Sequence, residues 1–282
     1  YMNRLIAFAN TLVATFCSFL ISTHIAALEL IRYPQPMQTY DKHHIYPLSL
    51  LKLAISKIES NYQLAPSDIF MNQGRALKQL ATGDDIEILW TMTSEAREQT
   101  LNAIRIPIYK GLIGWRVFLI NADTKIDLTR PISLEQVKKL KTVQGHDWPD
   151  TKILRANQFT VSTTSSYDGL FEMLEAQRFD FFPRGINEAW QELETQENPG
   201  LIVEDHILLY YPSPIYFFVN NNNQMLANRI EEGLKRSIED GSFDQLFYSY
   251  HVHKKMFQAG NIKQRQMILL HNPLLSPLTP LN

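Results

Sequence analysis

Apolar residues in this chain fall into short continuous runs, separated by stretches with helical spacing. The alternation predicts an α/β protein. Leu28–Arg32 reads as a short strand, stopped by Tyr33-Pro34-Gln35-Pro36. Leu48, Leu51, Ile55 and Ile58 share one helical face, and Tyr62–Phe70 reads as a short strand and loop. Asn72 as N-cap and Gly83 as terminator frame a helix carrying Ala76, Leu77 and Leu80. A buried strand follows at Ile86–Trp90, then a polar turn, Thr91-Met92-Thr93-Ser94, then Arg97, Pro107 and a second buried strand at Leu112–Ile120. Strand–helix–strand–helix–strand is the pattern of a parallel α/β lobe.

A second lobe starts near Lys110. Its signals are a polar loop over Asn121–Arg130 and a Ser133/Gln136 capping box for a helix over Leu134–Leu140. A glycine-marked turn runs from Gln144 to Thr151, and Ser165 or Ser166 caps a helix with Leu170, Phe171 and Leu174 on one face. Phe179–Phe182 reads as a buried strand broken by Pro183-Arg184-Gly185, and Asn187 starts a helix with Trp190 and Leu193. The strand Ile207–Tyr210 ends at Tyr211-Pro212-Ser213-Pro214, the expected second crossover. Two proline-stiffened connections would leave a hinge few degrees of freedom. A strand at Ile215–Val219 and an amphipathic helix at Met225–Glu239, ended by Gly241, complete the pattern. The expected division is residues 28–109 and 213–259 for lobe one, 110–212 for lobe two, and a Leu/Pro tail, 260–282, extended over the surface.

Composition adds limits. With 45% hydrophobic and 20% charged residues over 282 positions, the chain can fill two modest cores. A net charge of −2 offers no basic face for nucleic acid. Arg4 is the only charged residue before Glu29; Leu5–Ile21 is mostly apolar, and small residues lead to Ala27. That pattern is a secretory signal peptide over residues 1–27, cleaved near Ala27, which puts the mature protein in the periplasm. A membrane anchor is the alternative, although the run is broken by Asn10, Thr11 and Thr15. The single cysteine, Cys17, lies in this segment, so the mature chain has no thiol for nucleophilic catalysis, disulfides or metal.

Thr93, Glu95, Arg97, Pro107 and Tyr109 resemble the first crossover of the periplasmic solute-binding proteins of family 3, the amino-acid-type receptors of ABC importers. Arg75–Asp84 resembles that family's first lobe, and the text from Ile230 to His251 its closing helices. The resemblance spans roughly Leu28 to His251 as a pattern of elements with few fixed residues, and Ala103–Ile106 departs from it. It implies an α/β, two-lobed type II periplasmic-binding fold. Each lobe would be a mainly parallel sheet flanked by helices, with hinge crossovers at Tyr109–Lys110 and Tyr211–Pro214. The implied function is capture of a small anionic or amino-acid-like ligand for an importer's membrane permease or a membrane sensor, by a monomer without a cofactor.

The resemblance makes Arg97 the residue that holds the ligand's carboxylate, helped by Thr91 and Thr93; a guanidinium grips a carboxylate in bidentate fashion. A surface arginine paired with Glu95 or Glu98 is the plainer reading. Tyr33 and Trp90 follow strand C-terminal ends, where ligands of open α/β sheets bind, or else pack in the core. His146 and Asp147 fall where the family's second lobe offers a helix N-terminus, which favours an anion; alternatively Asp147 is an N-cap with Pro149 just inside the helix. Arg184 stands beside the position where the family's aspartate binds an ammonium. A guanidinium there would repel an amine and favour a dianion or an amine-free carboxylate, unless Arg184 turns outward. His43-His44 and His251-x-His253 come with no carboxylate cluster, so no metal site is expected. G-x-S-x-G and H-E-x-x-H are absent. The expectation is a binding protein rather than an enzyme. The alternatives are a periplasmic dehydratase- or lyase-like enzyme on the same fold, using Asp147, His146 or Glu95 as acid or base, and a partner-binding protein with a vestigial cleft.

Overall fold

The computed structural model describes residues 29–35, 42–58, 62–128, 130–196 and 199–280; the expected signal segment lies outside them. In chain order the first elements are β1 (Glu29–Gln35), α1 (Ile45–Ser56), β2 (Tyr62–Phe70), α2 (Gln73–Thr82), β3 (Ile88–Met92), α3 (Glu95–Thr100) and β4 (Leu101–Ile104). A crossover leads to β5 (Trp115–Asn121), α4 (Leu134–Val137), β6 (Lys141–Gly145), α5 (Pro149–Ala156), β7 (Thr160–Thr164) and α6 (Tyr167–Glu175). These are followed by β8 (Phe182–Gly185), α7 (Ala189–Gln196), β9 (Leu201–Val203) and β10 (Ile207–Tyr210). The chain then returns through β11 (Ile215–Asn220), α8 (Gln224–Glu239), α9 (Ser242–Ser249), α10 (His251–Ala259) and β12 (Gln266–Leu269).

In the first lobe β11 lies between β3 and β4, antiparallel to both, and β1 pairs parallel with β2. The Glu87 N–H donates to Arg32 O at 2.9 Å and ties β1 to the approach of β3. The period-2 alternation of β11 feeds two cores. Phe217 and Val219 pack with α1, α8 and α9, while Tyr216 and Phe218 pack toward α2. In the second lobe the order is β12-β10-β5-β8 with β9 also on β5, and β6 and β7 pair parallel beside it. Phe118 faces one core, Val117 and Leu119 the other. The pairing is not mainly parallel: β3, β11 and β4 form a wholly antiparallel sheet, and the sheet of β12, β10, β5, β8 and β9 is mixed. The strands that receive the chain after a crossover, β5 and β11, run against their neighbours.

The crossovers lie side by side. Ile108 N–H donates to Ile215 O at 3.0 Å and Tyr211 N–H to Gly114 O at 3.1 Å. A Cβ on Gly114 would meet Tyr211 O at 2.6 Å, so only glycine lets the two strands touch here. Lys110 (φ 51°) and Gly111 (φ 80°) turn the first crossover through the left-handed region.

Several local rules operate as written in the sequence. Asn72 Oδ1 accepts from Arg75 N–H, Gly83 closes α2, and Ser133 and Gln136 form the reciprocal capping box of α4. Three segments differ from expectation. Pro183, Arg184 and Gly185 form β8 instead of ending it, because β8 is laddered on one side only and Pro183 owes no N–H there. α10, grouped with the first lobe by sequence, puts Met256 into the second lobe's core. The tail is not merely superficial: β12 pairs parallel with β10, burying Ile268, and Leu270 is buried just beyond the strand. Beyond it Asn272 donates to Pro212 O at 2.7 Å, and Leu274 O accepts from Glu95 N–H at 2.7 Å, so this segment straps the hinge to α3.

Candidate functional site

A cleft separates the lobes as two adjoining chambers. The outer, about 450 Å³, lies between the N-terminal end of α2, Trp90 and the second-lobe turns at Gly145–Trp148 and Thr164–Tyr167. The inner, about 240 Å³, shares Gln73, Trp90, Thr91, Trp148 and Tyr167 with it and is floored by Arg116, Asp150, Arg184 and Glu188. This is the wall chemistry of a small-molecule site: aromatic faces with a few charged groups.

Trp90 and Thr91, at the end of β3, line both chambers; His146 and Asp147 line the outer and Arg184 the inner. Tyr33 sits behind Trp90, ring centroids 6.0 Å apart, as core. Thr93 is fully buried and turned away: its hydroxyl donates to Glu98 Oε1 at 2.5 Å and its N–H to Pro214 O at 2.9 Å.

Arg97 lies behind the cleft wall, not in it. Nη1 donates to Thr91 Oγ1 (2.8 Å) and Met92 O (2.7 Å), and Nη2 to Gln73 Oε1 (2.6 Å) and Asp147 O (3.4 Å). Glu98, offered above as its surface partner, pairs with Arg105 instead. Among the described residues no carboxylate reaches ion-pair distance of Arg97. Burial lowers its pKa to about 10, against the pull of Asp147 and Asp150, so it stays charged at neutral pH. It fastens three cleft residues rather than presenting free donors.

Asp147 is not the N-cap of α5; Trp148 holds that position. Its Oδ2 reaches across the cleft to accept from Gly74 N–H at 2.8 Å, at the N-terminus of α2 where the helix dipole favours an anion. With the Arg97 bond to its carbonyl, Asp147 links the lobes twice. His146 has half its side chain exposed and donates its N–H to Thr164 O.

Arg184 departs from expectation in its charge. Nε donates to Glu192 Oε2 at 2.7 Å and Nη2 to Oε1 at 2.5 Å, with Glu188 at 3.1 Å and the Trp148 ring 4.8 Å away. Burial alone would raise the Glu192 carboxyl; Arg184 and His43 hold it far below the usual range. Tyr167 also donates to Glu192, at 2.7 Å, and His43 Nε2 lies 3.2 Å from it. The positive charge that was to exclude an amine is therefore neutralised inside the protein.

Sequence reasoning missed the rest of the floor. Arg116 is 2% exposed; Nη2 lies 2.9 Å from Asp150 Oδ1, Nη1 3.6 Å from Glu188 Oε2, and Cζ 5.3 Å from the Tyr211 ring centroid. Burial would lower its pKa, but Asp150 leads the groups that raise it above the usual value. One signal was present: a charged residue inside the apolar run Trp115–Ile120 needs a buried partner. The spacing of Arg184, Glu188 and Glu192 was a second.

Among the described residues no group of three His, Cys, Asp or Glu side chains is placed to hold a metal ion. His253 packs against Tyr46 and Phe247, with Nδ1 2.8 Å from Phe247 O, and burial lowers its pKa to about 4.

No protein-family model and no curated protein sequence matches the chain. Solved structures do. An ancestral arginine-binding protein bound to arginine superimposes with a TM-score of 0.59 at 15% identity, over 79% of this chain and 98% of that one. A binding component of an ABC transporter from Wolinella succinogenes, complexed with lysine, gives 0.60 at 14%, over 82% and 98%. A histidine kinase sensor domain with similarity to periplasmic binding proteins gives 0.58 at 12%, over 80% and 96%. The fold is thus that of the two-lobed periplasmic binding proteins.

Proposed function

We propose that this protein captures a small, carboxylate-bearing solute between its lobes in the periplasm and presents it to a membrane permease or sensor. The observation that carries the reading is the pair of joined chambers at the lobe interface, walled by Trp90, Trp148 and Tyr167 and floored by charges of both signs. The structural neighbours support it: two are binding proteins with an amino acid in place, and one is a sensor domain. Arg97 serves by holding Thr91, Gln73 and Asp147 in register, and the crossovers at Tyr109–Gly114 and Tyr211–Pro214 are the hinge. With Arg184 neutralised, the ligand is free to carry an amine. Of the acid–base candidates, Glu95 is exposed on α3 and the Asp147 carboxylate is engaged on α2, which favours binding over catalysis, while His146 lines the outer chamber half exposed.

The test is a thermal-shift screen with amino acids, dicarboxylates, keto acids, small peptides and sugar acids. A ligand at 100 times its Kd stabilises the fold by about 2.7 kcal/mol, and at least one such hit is expected. Silence across the whole panel would falsify the solute-binding reading.

A further inference from the structure

The chain beyond α10 touches both lobes and the hinge. β12 lies on β10, and Leu270 N–H donates to Tyr210 O at 2.8 Å. One residue on, the His271 backbone exchanges two bonds with the Asn157 side chain at the end of α5, at 2.6 and 3.1 Å. Both contacts belong to the second lobe. Asn272, 5% exposed, then donates to Pro212 O in the second crossover. Leu274 O accepts from Glu95 N–H at 2.7 Å, and Glu95 opens α3 in the first lobe. Further on, Ser276 and Thr279 are buried, and Thr279 faces the Tyr216 phenol of β11, also in the first lobe.

This link has little slack. From Leu270 to Leu274 the chain reaches at most about 14 Å fully extended. Asn272 shortens that reach by accepting from Leu274 N–H at 2.9 Å, a turn through Pro273, whose ring fixes φ. Its anchors cannot all survive a large rotation of one lobe against the other. The first-lobe anchor also sits where the cleft wall is built. Thr93 N–H goes to Pro214 O and Glu95 N–H to Leu274 O, so one turn holds both the second crossover and the tail. Ser94, between them, caps α3 by accepting from Arg97 N–H at 3.3 Å, and Arg97 fastens Thr91, Gln73 and Asp147.

We propose that the segment from Leu270 to Pro280 is a third connection between the lobes. It is a stop that holds the hinge near the angle at which Asp147 reaches Gly74, and it carries any change of that angle to α3 and Arg97. The two crossovers permit rotation; the tail limits it. A protein kept near closure loses less apparent affinity to a scarce binding-competent state. The inference takes the hinge from the solute-binding reading but needs none of its ligand chemistry.

Spin labels on Lys78→Cys in α2 and Glu172→Cys in α6, exposed residues of the helices flanking the outer chamber, read the lobe separation with no ligand added; Cys17→Ser leaves them the only thiols. Glu95→Pro is the main variant. Glu95 is the first residue of α3, where proline is tolerated, and Ser94 before it is already extended (φ −154°, ψ 156°), so the change deletes the N–H that binds Leu274 O and little else. A longer and broader distance distribution than that of the unsubstituted chain is expected, with a melting temperature within about 4 °C of it. Glu95→Gln keeps the N–H and is expected to leave the distribution unchanged. Asn272→Ala is expected to lengthen it as Glu95→Pro does. An unchanged distribution in either Glu95→Pro or Asn272→Ala overturns the stop, and so does an equal shift in Glu95→Gln. Should Glu95→Pro not fold, a chain ending at His271, which keeps β12 and the Asn157 contacts, takes its place with the same expectation and the same refutation. Since no ligand is present, either result leaves the solute-binding reading to the thermal-shift screen.

Discussion

The two sides of the cleft handle cationic groups in opposite ways. On the first lobe Arg97 has no carboxylate at ion-pair distance among the described residues and spends its donors on neutral acceptors, Thr91 Oγ1, Gln73 Oε1 and two carbonyls. On the second lobe Arg116 and Arg184 have their charge cancelled by Asp150, Glu188 and Glu192, yet Arg116 keeps an unused donor edge. Charge and hydrogen-bonding capacity are separate properties of a guanidinium. Arg97, in the motif, spends its donors holding the cleft wall, whereas Arg116, outside it, borders the inner chamber with its charge balanced by Asp150 and Glu188.

Removing Glu192 strikes the second-lobe arrangement hardest. Glu192→Gln leaves Arg184 buried with only Glu188, and breaking a buried pair costs about 3–5 kcal/mol, to be read from urea unfolding. The double change Arg184→Met with Glu192→Leu is expected to recover most of that loss; if it unfolds the protein as badly as the single change, the pair does more than balance charge.

Arg97→Ala comes next. Losing hydrogen bonds from a charged donor is expected to cost about 2–3 kcal/mol of stability, with affinity falling indirectly as Thr91, Gln73 and Asp147 loosen. An unchanged melting temperature with collapsed affinity would instead make Arg97 a direct ligand contact.

Acid separates the two sides without mutation. Glu192 has a folded-state pKa well below its unfolded value near 4.5, so its stabilisation is present above that value and lost as pH falls below it toward the folded pKa. The wild type should therefore lose urea resistance from about pH 4.5 downward, more steeply than Glu192→Gln. Identical slopes would show that the acid sensitivity lies elsewhere. Arg97, bonded to neutral acceptors, adds nothing to this slope.

Asp147→Asn has the smallest expected effect. The amide oxygen can still accept from Gly74 N–H, but the charge on the α2 dipole is gone, at a cost of about 0.5–1 kcal/mol. Small-angle scattering should show a more open ligand-free protein. A profile superimposable on the wild type would mean that the Arg97 and strap contacts suffice to hold the lobes together.

Features governed by neighbours a few residues apart were legible in the sequence. Asn72 and Gly83 bound α2, Ser133 and Gln136 box α4, and Leu226, Ile230 and Leu234 line the buried face of α8. Trp90, Thr91, His146 and Asp147 were also placed at the cleft, because strand C-terminal ends and helix N-termini are local features. Thr93 was not, since strand pleat and the Pro214 bond decide which way it points. β12 escaped because four residues carry no period long enough to read.

By itself, then, the sequence determined the α/β pattern, the caps, the proline-stiffened crossovers and which segments reach the cleft, since each depends on spacing along the chain. The tertiary structure alone decided what each arginine does there. Arg184 meets Glu192, Arg116 meets Asp150 and Arg97 meets Gln73 only after the sheets are stacked and the lobes brought together. The state of a buried charge is set by the partners that share its low-dielectric surroundings, and those come from distant parts of the chain.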